Sequence, residues 1–173
     1  MTPERMRCRQ SQLSTDHHVQ ATSILGTLNA PLAGTDERQL PAGNLRRRPG
    51  DSLSHAAIGA LLRTRRLVPV ARISKAIGPA THNVAEYRAL IEGLMLARSH
   101  GIEHIRVYTD SELVVDQVIA ASAVKQAHLR ELYENASGLR VGFKSFRISW
   151  VPREWNLEAD QLVRDALGGP ATS

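Results

Sequence analysis

The chain has 173 residues, of which 42% are hydrophobic and 23% charged, and it carries a formal net charge of +5. That composition suits one globular domain with some chain to spare and excludes a disordered polyelectrolyte. The single cysteine, Cys8, excludes a disulfide framework and a multi-cysteine metal site, and no apolar run approaches the roughly 18 residues of a membrane span. The first 30 residues lack a cationic start followed by an apolar stretch, so the expected location is the cytoplasm.

Residues 1–40 are rich in Ser, Thr, Gln, Ala and Arg, and Pro3, Pro31 and Pro41 break this part of the chain. They show no sustained period and read as an atypical, poorly ordered segment with one short strand around Ala21 to Leu28. Between Asn44 and Ala80 stand Arg46, Arg47, Arg48, Arg63, Arg65, Arg66, Arg72 and Lys75 against one acid, Asp51. Such density favours a polyanionic partner, nucleic acid being the commonest, and the plain alternative is a solvated basic face.

From Ala56 the pattern becomes regular. Ala56 to Arg63 and Leu67 to Ile77 are apolar, β-compatible runs separated by Thr64, Arg65 and Arg66, which predicts an antiparallel hairpin. Thr81 to His100 is a helix: Val84, Tyr87, Ile91 and Leu94 recur at helical spacing, Leu90, Gly93 and Ala97 widen the apolar face, and Gly101 ends it. Ile102 to Thr109 follows as a strand, Ser111 to Ile119 and Ala127 to Gly138 as helices, and Phe143 to Val151 as a strand. Asn156 is expected to cap a last helix that runs to Leu167, before the Gly168-Gly169-Pro170 stop. The order predicts an α/β domain over 41–168, with a mixed sheet flanked by helices and a tail at 169–173.

Three carboxylates stand where burial is expected. Glu86 and Asp160 lie on the apolar sides of the first and last helices, and Asp110 follows the strand that ends at Thr109. Ligand sites of open α/β sheets gather at strand carboxyl ends. Converging buried carboxylates repel one another, and a divalent cation with hard oxygen ligands resolves the conflict. The alternative gives each acid a separate place, with Glu86 and Asp160 complementing helix dipoles.

The residues around these acids carry a resemblance. Thr81-His82-Asn83-Val84-Ala85-Glu86-Tyr87-Arg88-Ala89-Leu90 resembles the T-N-N-x-A-E-Y-x-A-L motif of type 1 ribonucleases H. Thr109-Asp110-Ser111-Glu112-Leu113-Val114 is similar to the family's D-S-E/Q-L-V motif, and Val151 to Asp160 resembles V-P-R-E-x-N-x-x-A-D. The resemblance implies a ribonuclease H-like fold with a five-stranded mixed sheet, order 3-2-1-4-5. It implies a monomer that cuts the RNA strand of RNA–DNA hybrids with two Mg²⁺ ions, Mn²⁺ being an alternative ion. Glu86, Asp110 and Asp160 would be catalytic and metal-ligating. Gly43, Asn44, Thr81, Asn83, Arg63, Arg65 and Arg66 would contact the nucleic acid. The alternative under the same resemblance is a non-catalytic nucleic-acid-binding protein of this fold.

The departures from the family pattern are local. The fourth family acid belongs in a D-G-x-S-x-G-N-P-G motif after the first strand. Ala42 to Gly50 matches its spacing at Gly43, Pro49 and Gly50, and Ala42 takes the aspartate position. The preceding Asp36 to Pro41 is a poor central strand, because only Leu40 is strongly apolar and Pro41 lacks a ladder donor. Asp51 is the nearest acid after Ala42, His82 replaces an Asn, and only His128 is offered for the family's mobile histidine. A chain that binds hybrids and cleaves poorly is one expectation. An amino-terminal stretch unrelated to the family strand is the other.

Overall fold

The computed structural model describes residues 19–24, 54–120 and 124–168. Five strands and four α-helices follow in the order β1 (Val19–Ile24), β2 (Ser54–Arg63), β3 (Pro69–Ala80), α1 (His82–Ser99), β4 (His104–Thr109), α2 (Glu112–Ala120), α3 (Ala127–Val141), β5 (Ser145–Trp150) and α4 (Leu157–Ala166). A short 3-10 turn, Arg153–Trp155, precedes α4. The strands form one sheet in the order β3-β2-β1-β4-β5. β1 and β2 pair antiparallel, as do β2 and β3, whereas β1 pairs parallel with β4 and β4 parallel with β5.

The central strand is thus Val19–Ile24, and it comes from the segment read as atypical and poorly ordered. It lies at and before the short strand expected around Ala21 to Leu28. Asp36 to Pro41, the stretch that motif spacing assigns to this position, lies outside the described residues, as do Ala42, Gly43, Asn44 and Asp51. The physical reason is compositional. Val-Gln-Ala-Thr-Ser-Ile keeps β-branched residues and every backbone donor, while the later stretch has one strong apolar residue and a proline.

β2 is apolar almost without interruption because both its faces are covered. Ala56 and Ile58 pack with Ala85 and Ala89 of α1 on one face. On the other face a Cβ at Gly59 would stand 2.5 Å from the Ala159 carbonyl oxygen of α4, so the missing side chain lets that helix lie on the strand. α1 is buried on most of its circumference, between the sheet and α3, and the fully buried Tyr87 donates its hydroxyl to Gln117 Oε1 at 2.5 Å. Thr81 caps α1 by accepting the Val84 amide, and Gly101, at φ 69°, takes the left-handed conformation that turns the chain toward β4.

Strand directions give the sheet two unlike ends. Arg63 pairs with Gln20 near the start of β1, so the β2–β3 turn lies at the amino-terminal end of β1 and β4. Ser54 pairs with Ala80, so the start of α1 lies at the opposite end, with the carboxyl end of β4.

Candidate active site

The site forms where β3, β4 and β5 all reach their carboxyl ends. β3 delivers Thr81 and the first turns of α1, β4 delivers Asp110, and β5, in parallel register, sets Trp150 beside Thr109. The chain then turns through Arg153–Trp155 and enters α4, which carries Asp160. A shallow cleft of about 360 Å³ opens there, lined by His82, Asn83, Glu86, Asp110, Ser111 and Trp150 among others.

Each acid has protein partners. Glu86 is buried; it accepts the Ser111 hydroxyl on Oε2, and His82 Nε2 stands 2.7 Å from its Oε1. Asp110 accepts Asn156 Nδ2 at 3.4 Å on Oδ1, and its backbone carbonyl accepts the Trp150 indole N–H at 3.2 Å. Asp160 is buried and accepts Arg153, Nε at 3.1 Å on Oδ2 and Nη2 at 3.5 Å on Oδ1.

The electrostatics tie these groups together. Burial pushes the Asp110 carboxyl above the ordinary aspartate range, and the negative charges of Glu86 and Asp160 push the same way, against a backbone hydrogen bond and the Arg153 cation. The His82 imidazole is raised first by its hydrogen bond to Glu86 and further by the charges of Glu86 and Asp110, with burial and Arg153 opposing. All three carboxylates therefore share one electrostatic neighbourhood. They do not form a closed cage: among the described residues no three His, Cys, Asp or Glu side chains stand together at metal-ligating spacing.

The donor set still fits a hard divalent cation. It consists of carboxylate oxygens carrying excess negative charge, felt at Asp110, and Asn156 adds a buried Oδ1 with no hydrogen-bond partner. Mg²⁺ tolerates such an open arrangement, because it keeps several waters and completes its shell with substrate phosphate oxygens.

The sequence-derived contacts divide. Asn83 lines the cleft, and Thr81 opens α1 beside it but spends its hydroxyl on the helix cap. Arg63, Arg65 and Arg66 are not brought to the acids: they sit at or next to the β2–β3 turn, at the other end of the sheet. Arg63 is also mostly covered and ion-paired with Glu158 of α4. Glu86 is not in the first turn of α1, so the dipole reading of that acid fails. Asn156 makes no side-chain cap bond, contrary to expectation, and spends its amide on Asp110. Sequence reasoning missed Ser111, Trp150, Arg153 and Asn156 as site residues. All but Trp150 lie inside the quoted motifs, and Trp150 directly precedes one, so motif membership was the available signal.

Among the described residues no helix is long and apolar enough to cross a membrane. The family model described as Reverse transcriptase-like matches residues 50–166. The bifunctional protein Rv2228c of Mycobacterium tuberculosis is 43% identical over 104 residues, and the match covers 60% of this chain and 29% of that protein. The chain thus spans under a third of the length of that curated relative. The crystal structure of RNase H1 from Halobacterium salinarum superposes with a TM-score of 0.71 at 30% identity, covering 87% of this chain and 98% of the other. LC11-RNase H1, solved in complex with an RNA/DNA hybrid, superposes with a TM-score of 0.69 at 24% identity, covering 87% and 96%, and shares the fold.

Proposed function

The chain belongs to the reverse transcriptase-like, ribonuclease H family, and from that premise we propose that it binds RNA–DNA hybrids at the carboxyl end of β4 and hydrolyses their RNA strand slowly. The observation that carries this reading is the shared neighbourhood of Glu86, Asp110 and Asp160, felt as the raised Asp110 carboxyl. The hybrid complex of a protein with the same fold supports the substrate class.

Glu86, Asp110 and Asp160 would hold Mg²⁺, or Mn²⁺ in its place. Bound divalent ions supply an activated water and stabilisation of the leaving 3′ oxygen. The chain's own residues prepare the site. Ser111 and His82 fix the Glu86 carboxylate, Asn156 orients Asp110, and Arg153 neutralises Asp160. Asn83 lies in the cleft, where contacts to 2′-hydroxyls distinguish RNA from DNA.

Slow cleavage follows from the central strand. β1 pairs with β4 from Val19↔Ile105 to Thr22↔Tyr108. Two further steps of that parallel register set position 24 level with Asp110, and position 24 is isoleucine. No residue of β1 is acidic. Losing one electrostatic element of a catalytic site costs on the order of 10²- to 10³-fold in rate. The same gap favours the second reading, a binding protein without turnover.

Incubation with a labelled hybrid, with and without Mg²⁺, separates the two. We expect binding with weak cleavage, abolition by Asp110→Asn, and a gain of at least about 10²-fold from Ile24→Asp. Binding without cleavage, even after Ile24→Asp, selects the binding-only reading. No binding to the hybrid overturns both.

A further inference from the structure

We propose that Trp155 is a stacking platform for an unpaired nucleobase, and that the preferred ligand is therefore a hybrid duplex with a single-stranded extension. This rests on the reading of the acid site as a hybrid-binding site and adds a specificity to it.

The chain has two tryptophans, Trp150 and Trp155, five residues apart between Asp110 and Asp160 in sequence. Trp150 is fixed by its indole N–H on the Asp110 carbonyl and forms part of the cleft wall. Trp155 is 79% exposed, which is far from the usual state of so large an apolar ring. It does not sit on a loose loop. Its amide donates to the Pro152 carbonyl at 3.0 Å in the 3-10 turn, and the residues near it are tied inward, Arg153 to Asp160 and Asn156 to Asp110. The turn therefore holds an exposed indole between two residues that contact the acids, Arg153 and Asn156, although Trp155 itself does not line the cleft.

An indole on a rigid support offers a face to any base, because every base has a π-face. Within a continuous duplex both faces of each base are covered by neighbouring pairs. Trp155 finds a free face only at a duplex end or on a strand that runs past it, and an unpaired base, free to turn, offers both of its faces. The occupant is thus an unpaired nucleotide of the strand entering or leaving the acid cleft.

The test uses fluorescence. Trp150→Phe leaves Trp155 as the sole tryptophan, and the protein is titrated without Mg²⁺ with a blunt hybrid and with the same hybrid bearing a short single-stranded extension. The extended hybrid is expected to quench Trp155 and to bind at least about fivefold tighter, the scale of one base stacked on an aromatic ring. In the native background Trp155→Ala should remove that preference, Trp155→Phe should retain part of it, and affinity for the blunt hybrid should not change. Equal affinity for both hybrids, a silent Trp155, or equal weakening of both by Trp155→Ala overturns the proposal while leaving the acid-site reading intact. A Trp155 signal that follows protein concentration alone marks self-association and also overturns it. Failure of the native protein to bind either hybrid overturns the acid-site reading together with the proposal.

Discussion

Asn156 and His82 show how single side chains are spent at this site. An Asn before a helix ordinarily caps it, yet Asn156 turns its amide to Asp110 and leaves its own Oδ1 buried without a donor. The cap rule made its place legible in the sequence. Its partner was not, because β4 meets α4 only through the fold. His82 stands where the family motif has Asn, and in the metal-free protein its partner is Glu86. Its raised imidazole fixes a sign: the contribution to stability is complete below the ordinary imidazole range and is lost as pH rises through the raised value. The Asp110 carboxyl is also raised, so ionising it costs stability as pH climbs from the ordinary aspartate range to the raised value. The metal-free protein should therefore lose thermal stability in two steps with increasing pH. Asp110→Asn should remove the lower step and His82→Asn the upper, read by melting curves across pH. A melting temperature flat in pH would refute the coupling.

At the level of elements, the sequence announced the β2–β3 hairpin, α1 and the later helices and strands to within a few residues, because each carries its own period and stop signal. α1 is the clearest case, with Thr81 and Gly101 placed as expected. What periodicity could not supply was which helix covers which face. That is decided at Gly59, where α4 approaches the β2 backbone. Gly59→Ala tests it. A strand alanine in place of glycine ordinarily gains about 0.4–1 kcal/mol through the unfolded chain. Here the new Cβ meets a backbone carbonyl, and overpacking of that kind costs about 1–3 kcal/mol. We expect a net loss in denaturant midpoint, with Asp160 and Arg153 displaced along with the helix. A gain in stability would show that α4 shifts freely.

Across the whole molecule, the Arg65–Arg66 turn and the acid site occupy opposite ends of the sheet. The Arg65–Arg66 turn lies one β4 length from Asp110, about 20 Å. Two lost phosphate contacts would flatten the dependence of log affinity on log salt by about 1.8. Replacing Arg65 and Arg66 together by Ala should flatten it by much less. The full change would mean that the hybrid runs the length of the sheet to the hairpin. Charge density was legible in the sequence, but its direction was not, because direction depends on strand polarity. The central strand was the least legible part: its six residues carry no motif and only a weak alternation, and pairing with β4 is set by residues more than 80 positions away. That pairing also gives the protein an order of assembly. β1 alone joins the β3–β2 pair to the β4–β5 pair by hydrogen bonds. The hairpin and α1 close over short loops and are fast, whereas the parallel pairing of β1 with β4 must wait until β4 exists, and contacts of such long sequence separation form slowly. A chain emerging from synthesis can therefore pair one edge of β1 with β2 early, but it leaves the other edge open until β4 has been made, so the strand that later lies in the middle of the sheet begins as its edge.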